Sequence, residues 1–227
     1  MNLHLFSSPG EQDDVRYILD AAKPYLEGRP DAVVAYLPMA SLYGERFLEL
    51  TQKYFSDLAS VEMLNTEMME LSEMEAILRR ATLAYIPGGN TFLLNHRLYI
   101  SHLMPYLKKK IQLGLPVIAF SAGTILCGPN VLTSKDMNSV ETPHFDGLDV
   151  TPFNFFVHYG EDAYLRSIHD NWLVDYHVFH DNPVIIMADG SYLKIEGRKT
   201  QLVCGDAWLL CKGREKEKIR PGALIAL

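Results

Sequence analysis

The sequence predicts an α/β fold: a mainly parallel sheet with helices on both faces and an antiparallel extension at the carboxyl end. Three observations predict it. Apolar runs of four to six residues recur between longer stretches of helical spacing, which is the rhythm of βαβ units. Residues 32–37 (Ala-Val-Val-Ala-Tyr-Leu) are apolar on both faces, as a buried parallel strand must be. From about Val184 the pattern changes to short strands separated by tight turns.

Taken in order, residues 3–6 read as a first strand ending in the turn Ser7-Ser8-Pro9-Gly10. Residues 12–26 have helical spacing through Val15, Ile18, Leu19 and Ala22, and Pro24 weakens the last turn. After the strand at 32–37 come a helix at 44–55, a short strand at 61–64 and a helix at 69–80. That helix turns Leu71, Met74, Ile77 and Leu78 inward. The strand 83–86 runs into Pro87-Gly88-Gly89-Asn90-Thr91. A broken helical stretch over 92–113, interrupted at Pro105, leads to the strand 117–120 and then Ser121-Ala122-Gly123. The later strands are 184–187, 192–195, 201–204 and 208–211. Their turns carry Asp189-Gly190, Glu196-Gly197 and Cys204-Gly205-Asp206.

At 227 residues the chain buries one good core, and a single domain over 1–227 is expected. Hydrophobic residues make up 48% and charged residues 22%, ordinary values for a soluble enzyme. The 21 Lys and Arg against 28 Asp and Glu give a net charge of −7, which argues against nucleic acid as a partner. The run Lys108-Lys109-Lys110 reads as a solvated helix end. Three cysteines with no CxxC pair suggest neither a disulfide framework nor a zinc site. Residues 1–6 lack the basic start and apolar run of a secretion signal, and no stretch approaches the roughly 20 apolar residues of a membrane span. A cytoplasmic protein without a membrane partner is expected.

The strongest chemical signal is Val117-Ile118-Ala119-Phe120-Ser121-Ala122-Gly123-Thr124. An apolar strand stops at a serine that has small residues two before and two after it, the layout of a nucleophile elbow. Such a turn lifts the hydroxyl clear of the sheet and aims the Ala122 N–H at a developing oxyanion. Ala119 stands where the common pattern has Gly, and the alternative reading of Ser121 is a helix cap. Gly88 and Gly89 end another strand, and paired glycines let a backbone approach a ligand closely. Neither segment has the form of a phosphate-binding loop.

A nucleophilic serine needs a base. Of eight histidines, His158 follows the apolar run Phe155-Phe156-Val157, which suits a partly dry imidazole able to take and return a proton. A carboxylate must orient it: Asp136 is a candidate loop acid, Glu141 and Glu161 are alternatives, and spacing alone does not choose among them. Aromatics after His158 (Tyr159, Tyr164, Trp172, Tyr176, Phe179) either line a substrate pocket or serve as core or lid packing.

Together these segments resemble the serine peptidase family of dipeptidase E (aspartyl dipeptidase) and cyanophycinase. The matching pieces are Pro87-Gly88-Gly89-Asn90-Thr91-Phe92, Ala119-Phe120-Ser121-Ala122-Gly123, Lys135-Asp136-Met137 and His158-Tyr159. The resemblance implies a flavodoxin-like sheet similar to class I glutamine amidotransferases, and acyl-enzyme chemistry with no metal or cofactor. It implies Ser121 as nucleophile, His158 as general base and acid, and Asp136 as the acid behind it. Gly88, Gly89 and Ala122 would form the oxyanion hole, with Asn90, Tyr159 and Arg166 toward substrate. In the dipeptidases an Arg in a Gly-Glu-x-Arg segment pairs with an aspartyl side chain. Here Gly160-Glu161-Asp162-Ala163 puts Ala163 at that place, and Arg166 lies one helical turn on. A short-peptide substrate whose amino-terminal residue need not be Asp is therefore expected, for a monomer or homodimer. The alternatives are a cyanophycinase-like isopeptidase and a non-catalytic binding protein on the same fold.

Overall fold

Strands that are apolar on both faces must be covered on both faces, and that requirement organises the molecule. A computed structural model describes residues 1–8, 16–160 and 162–225. Five strands run parallel: β1 (Asn2–Phe6), β2 (Val33–Tyr36), β3 (Ser60–Met63), β4 (Leu83–Ile86) and β5 (Val117–Phe120). Their spatial order is β3-β2-β4-β5-β1. From β2 onward this is the doubly wound order 2-1-3-4, and the first strand of the chain fills the fifth place, beside β5.

The remaining strands are β6 (Asn154–Tyr159), β7 (Val184–Ala188), β8 (Tyr192–Glu196), β9 (Lys199–Cys204), β10 (Ala207–Leu210), β11 (Glu217–Ile219) and β12 (Leu224–Ile225). The antiparallel extension expected at the carboxyl end is divided between two sheets. β8, β9 and β12 continue the main sheet beyond β1, giving the order β12-β9-β8-β1-β5-β4-β2-β3. β7, β10 and β11 join β6 in a second sheet, β11-β10-β7-β6, in which β6 and β7 are parallel. Turn chemistry alone cannot distinguish a hairpin that stays in its sheet from a turn that changes sheets.

Helices α1 (Arg16–Leu26) and α2 (Leu48–Phe55) cover one face of the main sheet. On the other lie α3 (Leu71–Arg80), α4 (Thr91–Ile100), α5 (Leu103–Gln112) and the short α6 (Ala122–Leu126). β5 divides its side chains accordingly. Ile118 and Phe120 pack with Ile18, Ala22, Leu26 and Phe55, whereas Val117 and Ala119 pack with Leu3, Leu5, Leu78 and Leu107. This is the two-residue alternation of a strand buried on both sides. Phe155, Val157, Ile185 and Met187 bring the second sheet into the larger core, and its outer face is covered by α7 (Ala163–Phe179) through Leu173 and Tyr176.

Other differences from expectation have local causes. The break in the stretch 92–113 falls at His102, which adopts φ 58°, rather than at Pro105. Pro105 sits in the first turn of α5, where its missing N–H costs no helical bond. The helix expected at 44–55 begins as a tight 3-10 turn, Gly44–Phe47, before α2. Pro9, Gly10 and residues 12–15 lie outside the described residues. Among the described residues no helix is long and apolar enough to cross a membrane.

Candidate active site

The carboxyl ends of five strands deliver the site. Ser7 follows β1, Gly88 follows β4, Ser121 follows β5, His158 lies near the end of β6, and Asp189 follows β7. Open parallel sheets place their sites at this edge.

Ser121 has φ 46° and ψ −108°, a conformation costly for a residue with a Cβ. Its N–H donates to the Phe6 carbonyl at 3.0 Å, and its carbonyl accepts from Ile125 at 3.0 Å, so the strained turn is held from both sides. The small residues around it have a packing reason. A Cβ on Gly123 would fall 2.4 Å from the Ile86 carbonyl oxygen, and one on Gly88 would fall 3.1 Å from the Ser121 Cβ. The Ser121 side chain makes no capping bond to α6, which sets aside the helix-cap reading.

The Ser121 hydroxyl instead lies 2.8 Å from His158 Nε2. Across the ring, Nδ1 lies 2.6 Å from Asp189 Oδ1. A carboxylate only accepts, so Nδ1 carries the proton and Nε2 is the acceptor for the Ser121 hydroxyl. The bond to His158 is the largest cause holding the Asp189 carboxyl below the usual carboxylate range, and partial burial opposes it.

His158 owes its place to irregular backbone. Between Phe156 and Tyr159 the pairing of β6 with β7 slips by one residue, and His158 takes φ 53°. A bulge of this kind re-aims a side chain out of the regular alternation. Its N–H donates to Ser7 Oγ at 2.9 Å, and its carbonyl accepts from Lys135 Nζ at 2.6 Å. Burial lowers the Lys135 pKa, and the carboxylates of Asp189 and Asp136 oppose that shift.

Asp136 is not the carboxylate beside His158. Its Oδ2 accepts from the Thr91 N–H at 2.7 Å, from Thr91 Oγ1 at 2.6 Å and from Ser134 Oγ at 3.0 Å. It serves the amino end of α4, where negative charge is favoured. Asn90 is likewise engaged in structure: it accepts from the Leu93 N–H at 2.9 Å and donates to the Met137 carbonyl at 2.9 Å. These bonds fasten the loop after Gly88 and Gly89. Gly89 has φ 138°, and a Cβ there would meet the Ala40 carbonyl oxygen at 2.4 Å. Glu141 belongs to the loop after Asn138, and Glu161 lies outside the described residues.

Ser121, His158 and Gly88 form one wall of an open cleft of about 390 Å³, and Ser7 and Ser8 also reach it. Ile18, Phe47, Leu50, Tyr54, Tyr85 and Phe120 supply its apolar wall. Asn90, Tyr159 and Arg166 are not among the residues lining it. Tyr159 is buried against Trp208, and its hydroxyl donates to Asp170 at 2.8 Å beside Lys216. The bulge explains this: Tyr159 resumes the regular alternation and points to the α7 side. Arg166 donates from Nε to the Gly160 carbonyl at 2.8 Å and lies over the Tyr159 ring. Among the described residues no cluster of three or more His, Cys, Asp or Glu is placed to hold a metal.

Asp189 and Ser7 are not legible as site residues in the sequence. Asp189-Gly190 reads as turn chemistry, and Ser7 as the punctuation after a strand. Their one signal is position, each just past the end of an apolar strand.

The sequence pattern of peptidase family S51 matches residues 3–203. The chain belongs to peptidase family S51. It is 29% identical over 195 residues to a Nostoc protein named peptidase E, covering 83% of this chain and 79% of that protein. It is 31% identical over 149 residues to a Drosophila melanogaster protein named "Probable alpha-aspartyl dipeptidase", covering 63% of this chain and 60% of that one. The fold of this S51 chain is similar to the crystal structure of a peptidase from an acI-B1 actinobacterium. The TM-score is 0.74 at 18% identity, with 100% of this chain and 96% of that chain covered. At that identity the likeness speaks for the fold alone.

Proposed function

We propose that this S51 member is a serine peptidase of short peptides that works through an acyl-enzyme. The observation that carries the reading is the hydrogen-bonded chain from Ser121 Oγ to His158 Nε2 (2.8 Å) and from His158 Nδ1 to Asp189 (2.6 Å). Ser121 Oγ attacks the scissile carbonyl carbon as its proton passes to Nε2, and the carbonyl oxygen takes the negative charge. The Ala122 N–H and the backbone of Gly88 and Gly89 are the proposed donors to that oxygen. Collapse breaks the C–N bond, the amine leaves with the proton from Nε2, and the acyl part of the substrate (aminoacyl for a dipeptide) remains as an ester on Ser121. Water, deprotonated by the same nitrogen, then cleaves the ester and returns the hydroxyl. Asp189 keeps the imidazole in the required tautomer and stabilises its charged form. The amidotransferase-like kinship of the sheet is part of this reading, and its strand order from β2 to β5 supports it.

The test is turnover of a panel of Xaa-Leu dipeptides, Asp-Leu included, with Ser121→Ala protein as control. Cleavage that disappears in the variant is the expected result. Cleavage that survives in Ser121→Ala, or none by folded wild-type protein on dipeptides and longer peptides alike, would overturn it. The second of those results would favour a binding role for the cleft.

A further inference from the structure

Resting on the serine-peptidase reading, we propose that the cleft beside Ser121 receives a bulky uncharged side chain, aliphatic or aromatic, from the residue flanking the scissile bond. The cleft's volume, about 390 Å³, falls within the roughly 300–1,000 Å³ usual for small-molecule sites. Phe47 and Leu50 stand three residues apart on one side of the chain's turn into α2. They are 53% and 43% exposed, large apolar groups facing water at the mouth of a site. Tyr54, Tyr85 and Phe120 line the same cleft, with Tyr85 edge-on to Phe120, the residue before Ser121.

Charge points the same way. Among the described residues lining the cleft there is no Lys, Arg, Asp or Glu. Against the described lining, a carboxylate would give up water without meeting a cation, and an ammonium would meet no carboxylate. Arg166, the cation nearest in sequence to the expected position, is occupied with the Gly160 carbonyl and the Tyr159 ring. Its placement separates this chain from a site built for an aspartyl side chain. An apolar pocket discriminates by size, by roughly 10- to 200-fold for each step it can sense.

The experiment measures kcat/KM for Phe-Ala, Leu-Ala, Ala-Phe, Ala-Leu, Ala-Ala, Asp-Ala and Arg-Ala, and for the same pairs extended by one alanine. In parallel, a fluorophosphonate probe reports the reactivity of Ser121 independently of side-chain preference. The expected result is labelling of Ser121, with the best Phe or Leu peptide at least about 10-fold above Ala-Ala and about 100-fold above Asp-Ala. Whether the preferred residue lies before or after the scissile bond follows from the two orders of each pair. The half-exposed Leu50 tolerates substitution, so Leu50→Arg serves as the second reading: the ratio of Phe to Asp turnover should fall by about 10-fold. Labelled Ser121 with Asp-Ala or Arg-Ala preferred, or with no preference, would overturn the proposal and leave the serine peptidase standing. Neither labelling nor turnover by folded protein would overturn both.

Discussion

The hydroxyl of Ser7 accepts the backbone N–H of His158 at 2.9 Å, joining two residues 151 positions apart in the chain. The same hydroxyl donates to Asp189 Oδ1 at 3.1 Å, the oxygen that also meets His158 Nδ1. One fully buried side chain thus holds both the imidazole's backbone and the carboxylate that orients it. Ser7→Ala should leave the His158 N–H without its partner and loosen the pair. We expect a loss of about 1–3 kcal/mol in stability, read by urea unfolding. A fall in kcat of on the order of 10- to 100-fold should accompany it, because small misplacements of a reacting group are costly. Retention of full kcat would limit Ser7 to a structural role.

The two carboxylates separate cleanly by substitution. Asp189→Asn should lower kcat by on the order of 10⁴-fold, the size of effect known when a Ser-His-Asp arrangement loses its acid. Asp136→Asn should instead act on the amino end of α4, with about 1 kcal/mol of lost stability and activity kept within a few-fold. Equal activity losses in the two variants would contradict the geometry at His158.

Strain at Ser121 predicts an unusual stability pattern for a proposed nucleophile. Ser121→Gly should raise the unfolding free energy by about 1 kcal/mol, since glycine adopts φ 46° without a Cβ clash. Ser121→Ala should be nearly neutral, and both should be inactive. Calorimetry of the three proteins checks this, and destabilisation by glycine would count against the strained turn.

Stability should depend on pH through His4, which is buried between Tyr192 (2.5 Å) and Tyr25 (3.0 Å). Burial, assisted by Lys194, lowers its pKa from 6.5 to about 4. A depressed folded value means that the unfolded chain binds the proton more readily. The stabilisation is therefore complete above pH 6.5 and is lost as pH falls toward 4. The loss should amount to about 2 kcal/mol by pH 5. His169, whose pKa burial also lowers, adds in the same direction. Urea titrations at pH 7 and pH 5 on wild type and His4→Gln test the assignment, and an unchanged slope in the variant would reject it.

Gly123 is predicted to be intolerant of even one methyl group. Gly123→Ala drives a Cβ into the Ile86 carbonyl, so α6 must move away from β4. A stability loss of about 1–3 kcal/mol is expected from such overpacking, with a larger fractional loss of activity because α6 carries the Ser121 turn.

Elements with their own periodicity are legible in the amino-acid sequence. β4 and β5 fall where the apolar runs 83–86 and 117–120 put them, because two buried faces leave no polar residue in the run. The Ser121 turn is legible for a related reason: small residues around a serine after a strand are a local steric requirement. By contrast, β6 does not stand out as an element in the sequence, and of α7 only helical spacing around Arg166 and His169 is legible, not its extent. The run 154–159 carries a bulge that spoils its alternation, and α7 leaves Val174, Val178 and Phe179 exposed, which blurs its amphipathic pattern.

The sequence by itself therefore determined the strand–helix rhythm and the strained serine, since each rests on neighbours within a few positions, whereas His158 is singled out by the resemblance of several separated segments taken together. The tertiary structure alone decided that Asp189 and not Asp136 stands behind His158, that Ser7 ties them together, and that the cleft is apolar. The physical reason is that these relations join the ends of strands from two different sheets. Local sequence carries no record of which strand ends meet, because that choice is made by the packing of one sheet against another.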